Sequence, residues 1–482
     1  MIIQNNFSFN FKNTYTTLPS SFYTKQLPLS VKIPKMVIFN ESLALDLSLN
    51  IKELKENANI FCGNTIPYGA SPISQAYAGY QFGNFTMLGD GRAILLGEHV
   101  TPNGEMYDVQ LKGAGKTKYS RSGDGLAAIS PMIREYIISE AMHYLGIPTT
   151  RSLAVVLTNN NVLRERVLQS AILTRIAKSH IRVGTFDFAS AFCTTQDVKQ
   201  LADYTILRHF SSINNENDKY LLMFREVCKL QASLISKWQL VGFIHGVMNT
   251  DNMQISGETI DYGPCAFMDI YNQNTVFSSI DINGRYSYKN QPSIGAWNLA
   301  RLAESMLPLF HKNEPTAVEI VQQELLKYWD YYTHYWLQGF REKLGIFNEE
   351  EDDINMCTHL LNIMKENKLD FTNTFSTLTN ISKIPSPLLT IPEFNKWYNT
   401  WHQRKSRQPQ NKKDVTNLMK KSNPHIIPRN YHVEEVLKSC EEGDYTPLYN
   451  FLNALQKPYE YNEKYSTIPS YDFNDYKTFC GT

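Results

Sequence analysis

The sequence has no excess of charge of either sign: 47 lysines and arginines stand against 47 aspartates and glutamates, a formal net charge of zero at pH 7. A general binder of nucleic acid or anionic membrane needs a basic excess to release counterions or hold the surface, so neither is an expected partner and any basic patch is local. No stretch approaches the roughly 18 unbroken apolar residues of a spanning helix. Residues Met1 to Ser30 are polar and aromatic, with no basic segment ahead of an apolar run. A soluble, unsecreted chain is expected, cytoplasmic if bacterial. The seven cysteines (Cys62, Cys193, Cys228, Cys265, Cys357, Cys440 and Cys480) include no CxxC pair, and there is no histidine cluster at zinc spacing. They read as reduced thiols, individually small buried hydrophobes. Cys480, near a polar C-terminus, is the one expected to be exposed and open to redox chemistry. Internal repeats and low-complexity segments are also absent. What is present, 482 residues with 42% hydrophobic and 12% aromatic side chains, suffices for a large globular protein.

The first 35 residues read as an irregular arm, and regular pattern begins at Met36-Val-Ile-Phe39. A β-hairpin follows: Ala93-Ile-Leu-Leu96, a turn at Thr101-Pro-Asn-Gly104, and Met106 to Lys112. A helix is predicted over about Ser130 to Leu145, with Ser130 as N-cap, Glu135 in its first two turns, and Gly146 with Pro148 ending it. Ala171 to Ile176 reads as a strand. Asp218 to Val241 reads as a long helix with Phe224, Val227, Leu234, Ile235 and Trp238 on one face. After Gly242 come a loop carrying His245-Gly246 through Asn252, a strand Met253 to Ile255, a turn at Ser256-Gly257, and Asp261-Tyr-Gly263. Beyond Asp281 the pattern is mostly helical, with a polar run from Arg404 to Lys421 read as a solvated linker.

Two phosphate-binding motifs fail on spacing. Gly113-Ala-Gly-Lys-Thr117 would need glycine where Gln110 stands, and Gly89 and Gly91 are followed at the third position by Ile94. An order of parts succeeds instead. A glycine turn (Gly89-Asp-Gly91) opens a hairpin, the second strand delivers Lys112, a helix carries Glu135, and a loop reaching Asn252 precedes an Asp-x-Gly at Asp261. This is the part list of a protein-kinase-like nucleotide site, in which lysine neutralises phosphates, a carboxylate holds the lysine, and Asn and Asp offer hard oxygens to a divalent metal. One part is changed: in the related pattern HGDxxxxN the catalytic base precedes the asparagine by five residues, and Val247 stands there. Asp251, next to the asparagine, is the carboxylate that could accept a proton from another direction. His245 reads as a structural residue of the loop.

Leu88-Gly-Asp-Gly-Arg-Ala93, Asp108 to Gly115, Tyr119 to Gly125, Val241 to Asn252 and Ile260-Asp-Tyr-Gly-Pro264 together resemble the selenoprotein O family. Tyr80 and the run Asn84-Phe-Thr-Met87 depart from its pattern, which often has His and Trp-x-Pro-Gln there. The resemblance implies an α+β, protein-kinase-like two-lobed fold with additional C-terminal helices: an arm (1–35), a β-rich lobe (36–180), a helical lobe with the catalytic and metal loops (181–400), and a helical extension with a tail (401–482). It implies transfer of AMP from ATP to Ser, Thr or Tyr hydroxyls of protein substrates, with Mg2+ or Mn2+ and with the nucleotide reversed relative to kinases. Carried over, Gly89, Gly91, Arg92, Lys112, Asp124, Gly125, Arg175, Arg182 and Asp261 match nucleotide-binding positions. Asn252 and Asp261 match metal ligands, and Asp251 matches the base. A phosphotransferase using Asp251, UMP transfer, and a non-catalytic, redox-responsive nucleotide-binding module remain as alternatives.

Overall fold

A computed structural model describes residues 7–380, 387–468 and 476–479; Cys480 lies outside them. The N-terminal half is built on an antiparallel sheet of β1 (Phe11–Lys12), β2 (Tyr23–Lys25), β3 (Lys35–Phe39), β4 (Ile73–Gln75), β7 (Ala93–Val100), β8 (Met106–Lys112), β9 (Arg151–Leu163) and β10 (Val167–Ala177). The order is β2-β4-β7-β8-β10-β9-β3, with β1 on β7. A separate hairpin of β5 (Ala78–Gln81) and β6 (Asn84–Met87) lies off this sheet. Alternation along β8 decides what each face does. Val109 and Leu111 point into a core with Ile94, Leu96, Leu54 and Phe61. Asp108, Gln110 and Lys112 therefore point to the opposite face, where the helix Ile129–Tyr144 packs.

The second half is helical. The helix Lys219–Leu240 buries Phe224, Val227, Leu234, Ile235 and Trp238, the predicted stripe, beside Gln291–Phe310 and Glu314–Lys343. A two-stranded ribbon of β11 (Phe243–Ile244) and β12 (Ala266–Phe267) brackets the loop and the Asp-x-Gly turn. Further helices, Asp353–Glu366 and Pro392–Ser406, close over a second core holding Trp397 and Trp401. The helices Asn430–Glu441 and Thr446–Leu455 return to pack on Ile129–Tyr144. No helix among the described residues is long and apolar enough to cross a membrane. The six described cysteines are free thiols, all buried except the half-buried Cys193.

Four expectations are corrected. The N-terminal arm is not irregular throughout: β1 and β2 join the sheet, and Phe9, Tyr15 and Phe22 are buried, because Glu98 accepts hydrogen bonds from the Thr14 and Tyr15 amides. Ala128, not Ser130, occupies the N-cap of the following helix, and the Ser130 hydroxyl donates instead to Glu441. Met253 to Ile255 is no strand but a segment with isolated bridges, Met253 to Thr259 and Gln254 to Arg182. The polar run from Arg404 is not a linker: it ends one helix and forms another, Lys412–Ser422, whose Met419 enters the second core.

Candidate active site

Between the sheet and the helical lobe lies a cleft of about 480 Å³, and all eleven residues singled out from the sequence line it: Gly89, Gly91, Arg92, Lys112, Asp124, Gly125, Arg175, Arg182, Asp251, Asn252 and Asp261. The glycine turn is tight for a steric reason. Gly89 sits at φ +130°, and a Cβ there would come within 2.4 Å of the Tyr119 ring. The loop Thr117–Gly125 is stitched to it, with the Thr117 hydroxyl donating to the Asp90 carbonyl at 2.6 Å and Ser120 to the Gly91 carbonyl.

Lys112, at the end of β8, donates to Glu135 at 2.6 Å and to Asp261 at 3.0 Å. Arg175 on the neighbouring β10 donates to the same glutamate, Nε at 2.8 Å, and to Gln110 at 3.2 Å. Glu135 is thus held between two cations. Burial opposes its charge, yet Arg175 and Lys112 keep its pKa below the usual carboxylate range. Asp261 behaves alike: burial is overcome by Lys112 and Arg175, and its pKa is held well down. Both are therefore favoured as anions.

Arg182, fully desolvated, donates to the Asp251 carbonyl at 2.7 Å, stacks on Tyr77 at 4.3 Å and faces Asp90 at 3.8 Å. The Asp251 side chain is buried and its Oδ1 has no hydrogen-bond partner among the described residues. Burial, against the pull of Arg182, pushes its pKa up to about 7. Gly79 of the β5–β6 hairpin packs directly on this carboxylate: a Cβ there would stand 2.1 Å from Oδ1. The hairpin is pinned by the Tyr80 amide donating to Thr250 at 3.0 Å and the Phe82 amide to Asn249 at 3.1 Å. Tyr80 and Asn84 to Met87 therefore belong to the hairpin that covers the loop. Val247 is a buried side chain.

Asn252 donates through Nδ2 to the Val247 carbonyl at 3.1 Å, which orients its oxygen away from that carbonyl. Among the described residues no group of three or more His, Cys, Asp or Glu is placed to hold a metal ion. Asn252 Oδ1 and the Asp261 carboxylate, both lining the cleft, nonetheless are of the donor type that fits a magnesium-like ion. Such an ion takes hard oxygens, uses one or two carboxylates, and completes its shell with water and substrate phosphates.

Asp124 is engaged otherwise than expected of a free ligand. It forms a bidentate pair with Arg164, at 2.8 and 3.0 Å, at the half-exposed mouth of the cleft. His245 is structural as expected, its Nε2 donating to the Ile260 carbonyl at 2.8 Å; burial lowers its pKa. Sequence reasoning missed Tyr77, Asp90, Arg121 and Arg164, which also line the cleft. The one available signal was Asp90, an acid between two glycines.

A hairpin lysine clamped by a helix glutamate, an asparagine loop and an Asp-x-Gly turn, arranged around one cleft, define a protein-kinase-like nucleotide site with valine where the usual base stands. Residues 5–456 match the family described as protein adenylyltransferase SelO. The chain belongs to that family and is an enzyme of the nucleotidyltransferase kind. It is 57% identical to the protein nucleotidyltransferase YdiU of Clostridium botulinum (strain Eklund 17B / Type B), over 100% of this chain and 99% of that one. It is 56% identical to the protein of the same name from Brevibacillus brevis, over 98% of each. A solved structure, ROP2 from Toxoplasma gondii, described as a virulence factor with a protein-kinase fold and no enzymatic activity, covers 70% of this chain at 9% identity and a TM-score of 0.23. That score is too low to bear on the fold, which rests on its own parts.

Proposed function

We propose that this protein transfers AMP from ATP to Ser, Thr or Tyr hydroxyls of proteins, with the nucleotide reversed so that the α-phosphate meets Asp251. The single observation that carries this reading is the pairing of Val247 with Asp251. The position of the usual base is a buried valine, while Asp251, whose Oδ1 has no hydrogen-bond partner among the described residues, lines the cleft beside Arg182. The family and the names of its relatives support nucleotidyl transfer with proteins as acceptors.

In the proposed reaction the acceptor oxygen bonds to the α-phosphorus and the bond from that phosphorus to the α–β bridging oxygen breaks. Pyrophosphate departs with the electron pair, and the hydroxyl proton passes to Asp251. Lys112, Arg92, Arg175 and Arg182 offset the charge of the phosphates. Arginines suit that task because their planar forks bind phosphate oxygens in pairs. Gly89, Gly91 and Gly125 let backbone approach the phosphates, and Asp124 with Arg164 closes the cleft mouth. Asn252 and Asp261 would hold Mg2+ or Mn2+, which supplies Lewis-acid stabilisation of developing phosphate charge.

The test incubates the protein with Mg2+ or Mn2+, a protein mixture, and ATP labelled separately at the α- and γ-phosphates, with Asp261→Ala as control. Protein-bound α-label without γ-label is expected. γ-Label alone means a kinase using Asp251, and no label with ATP binding intact means a non-catalytic module. Competition by UTP reads out base preference.

A further inference from the structure

Asp261 has a backbone conformation that needs outside support. Its φ is +66°, in the left-handed region that non-glycine residues enter at a cost and keep only where neighbours over-determine it. Those neighbours are the groups that grip the carbonyls around it. His245 takes the Ile260 carbonyl on one side. On the other, one guanidinium takes two: Arg134 donates through Nε to the Gly263 carbonyl at 3.2 Å and through Nη2 to the Cys265 carbonyl at 2.6 Å. Arg134 is the residue before Glu135, so adjacent positions of one helix bracket Asp261. Glu135 acts through Lys112 from the cleft side, and Arg134 acts through the main chain from behind.

The remaining arm of Arg134 points away from the cleft. Nη1 donates to Glu434, on the C-terminal helix Asn430–Glu441, at 3.2 Å and to the Tyr476 hydroxyl at 3.3 Å, and that hydroxyl donates to Glu434. Two residues on, the Thr478 hydroxyl takes the Pro264 carbonyl at 2.7 Å, between the two that Arg134 holds. The Thr478 backbone pairs with Phe277 and Ser279 at 2.9 and 3.0 Å. Pro264 in turn lies against the catalytic loop: a Cβ on Gly246 would stand 2.5 Å from its carbonyl oxygen.

We propose that Arg134 is a positioning residue for Asp261, and that Glu434, Tyr476 and Thr478 make the C-terminal extension a strap that sets how firmly the Asp-x-Gly turn is held. The consequence for the reaction rests on the adenylyl-transfer reading; the positioning itself does not. Arg134→Lys keeps the charge and loses the fork, so only one carbonyl stays held. Because a displacement of about 1 Å at a reacting group can cost 100-fold, turnover at saturating ATP is expected to fall at least tenfold. The peptide spanning residues 257–268 should exchange its amide hydrogens faster.

In Glu434→Gln a side chain 45% exposed is changed, and in Thr478→Val the buried Thr478 is replaced by a side chain of the same shape that lacks only the hydroxyl. Each is expected to speed exchange in that same peptide and to lower turnover about twofold to fivefold at unchanged melting temperature. Wild-type exchange across residues 257–268 in all three variants overturns the proposal, whatever label the protein transfers. So does a general rise in exchange across the whole chain, since that is loss of fold rather than of position. γ-Label from the wild-type protein in the same assay refutes the adenylyl-transfer reading and leaves the exchange result to decide the strap.

Discussion

Two buried carboxylates in this protein each sit between two cations, and they serve different ends. Asp353, in the C-terminal helices, accepts from Arg341 at 2.7 Å and from Arg404 at 2.6 and 3.1 Å, with the Glu350 amide at 3.0 Å. Arg404 spends its other donors on Asn348. That cluster is closed: Arg341 also pairs with Glu349 at 3.0 Å and Arg404 with Glu350 at 3.1 Å, and Asp353 does not line the cleft. Glu135 is held as tightly by Lys112 and Arg175, but its cluster opens on a cleft through Asp261, whose side chain is 29% exposed, and beside it Asp251 keeps an oxygen without a hydrogen-bond partner among the described residues. A buried ion pair therefore marks structure as readily as function. What separates the two is the ligating atom left over.

The largest expected effect breaks the open cluster. Asp261→Ala removes the hard-oxygen ligand proposed for the metal, and label transfer should fall about 1000-fold or more while circular dichroism stays native. Full activity would refute its role. The closed cluster should respond in the reverse sense. Asp353→Asn leaves two buried arginines short of charge and is expected to cost about 3–5 kcal/mol of stability in urea melts, with turnover per folded molecule unchanged.

The same C-terminal region supplies a pH test. Lys343 is buried against Phe375 and its pKa is pushed down to about 7 by desolvation. Between that value and its ordinary 10.5 the unfolded chain binds more protons. This contribution to stability is thus least below pH 7 and rises with pH up to about 10. Lys343→Met should flatten that rise and stabilise the protein at pH 7 by on the order of 3 kcal/mol. An unchanged slope between pH 7 and 9.5 would contradict it. The smallest effect sharpens the open cluster: Lys112→Ala should weaken ATP binding about tenfold by removing one phosphate-facing charge, read by calorimetry.

Much of the site was legible because its parts are local. A hairpin delivers Lys112, a helix start places Glu135, and short loops present Asn252 and Asp261, so order along the chain stood in for geometry. Tyr77 and Arg164 were not legible, and Asp90 only as an acid between two glycines, since their places depend on contacts between segments separated in sequence: Asp90 with Gln110 and Arg182, Tyr77 with Arg182, Arg164 with Asp124. The helical pattern beyond Asp281 was legible, but the polar run from Arg404 to Lys421 was misread by composition. The polar residues after Arg404 masked a helical period visible in Phe394, Trp397, Trp401 and Arg404, all buried on one stripe. The Ser130 cap failed because propensity yields to a tertiary partner, here Glu441.

In the proposed reaction Asp251 takes over the work of the base that Val247 cannot supply. Asp251→Asn keeps the shape of the side chain, so pyrophosphate release at saturating ATP and acceptor should fall about 100-fold or more while ATP affinity holds. Wild-type pyrophosphate release from that variant, or ADP released in step with protein labelling, would contradict it.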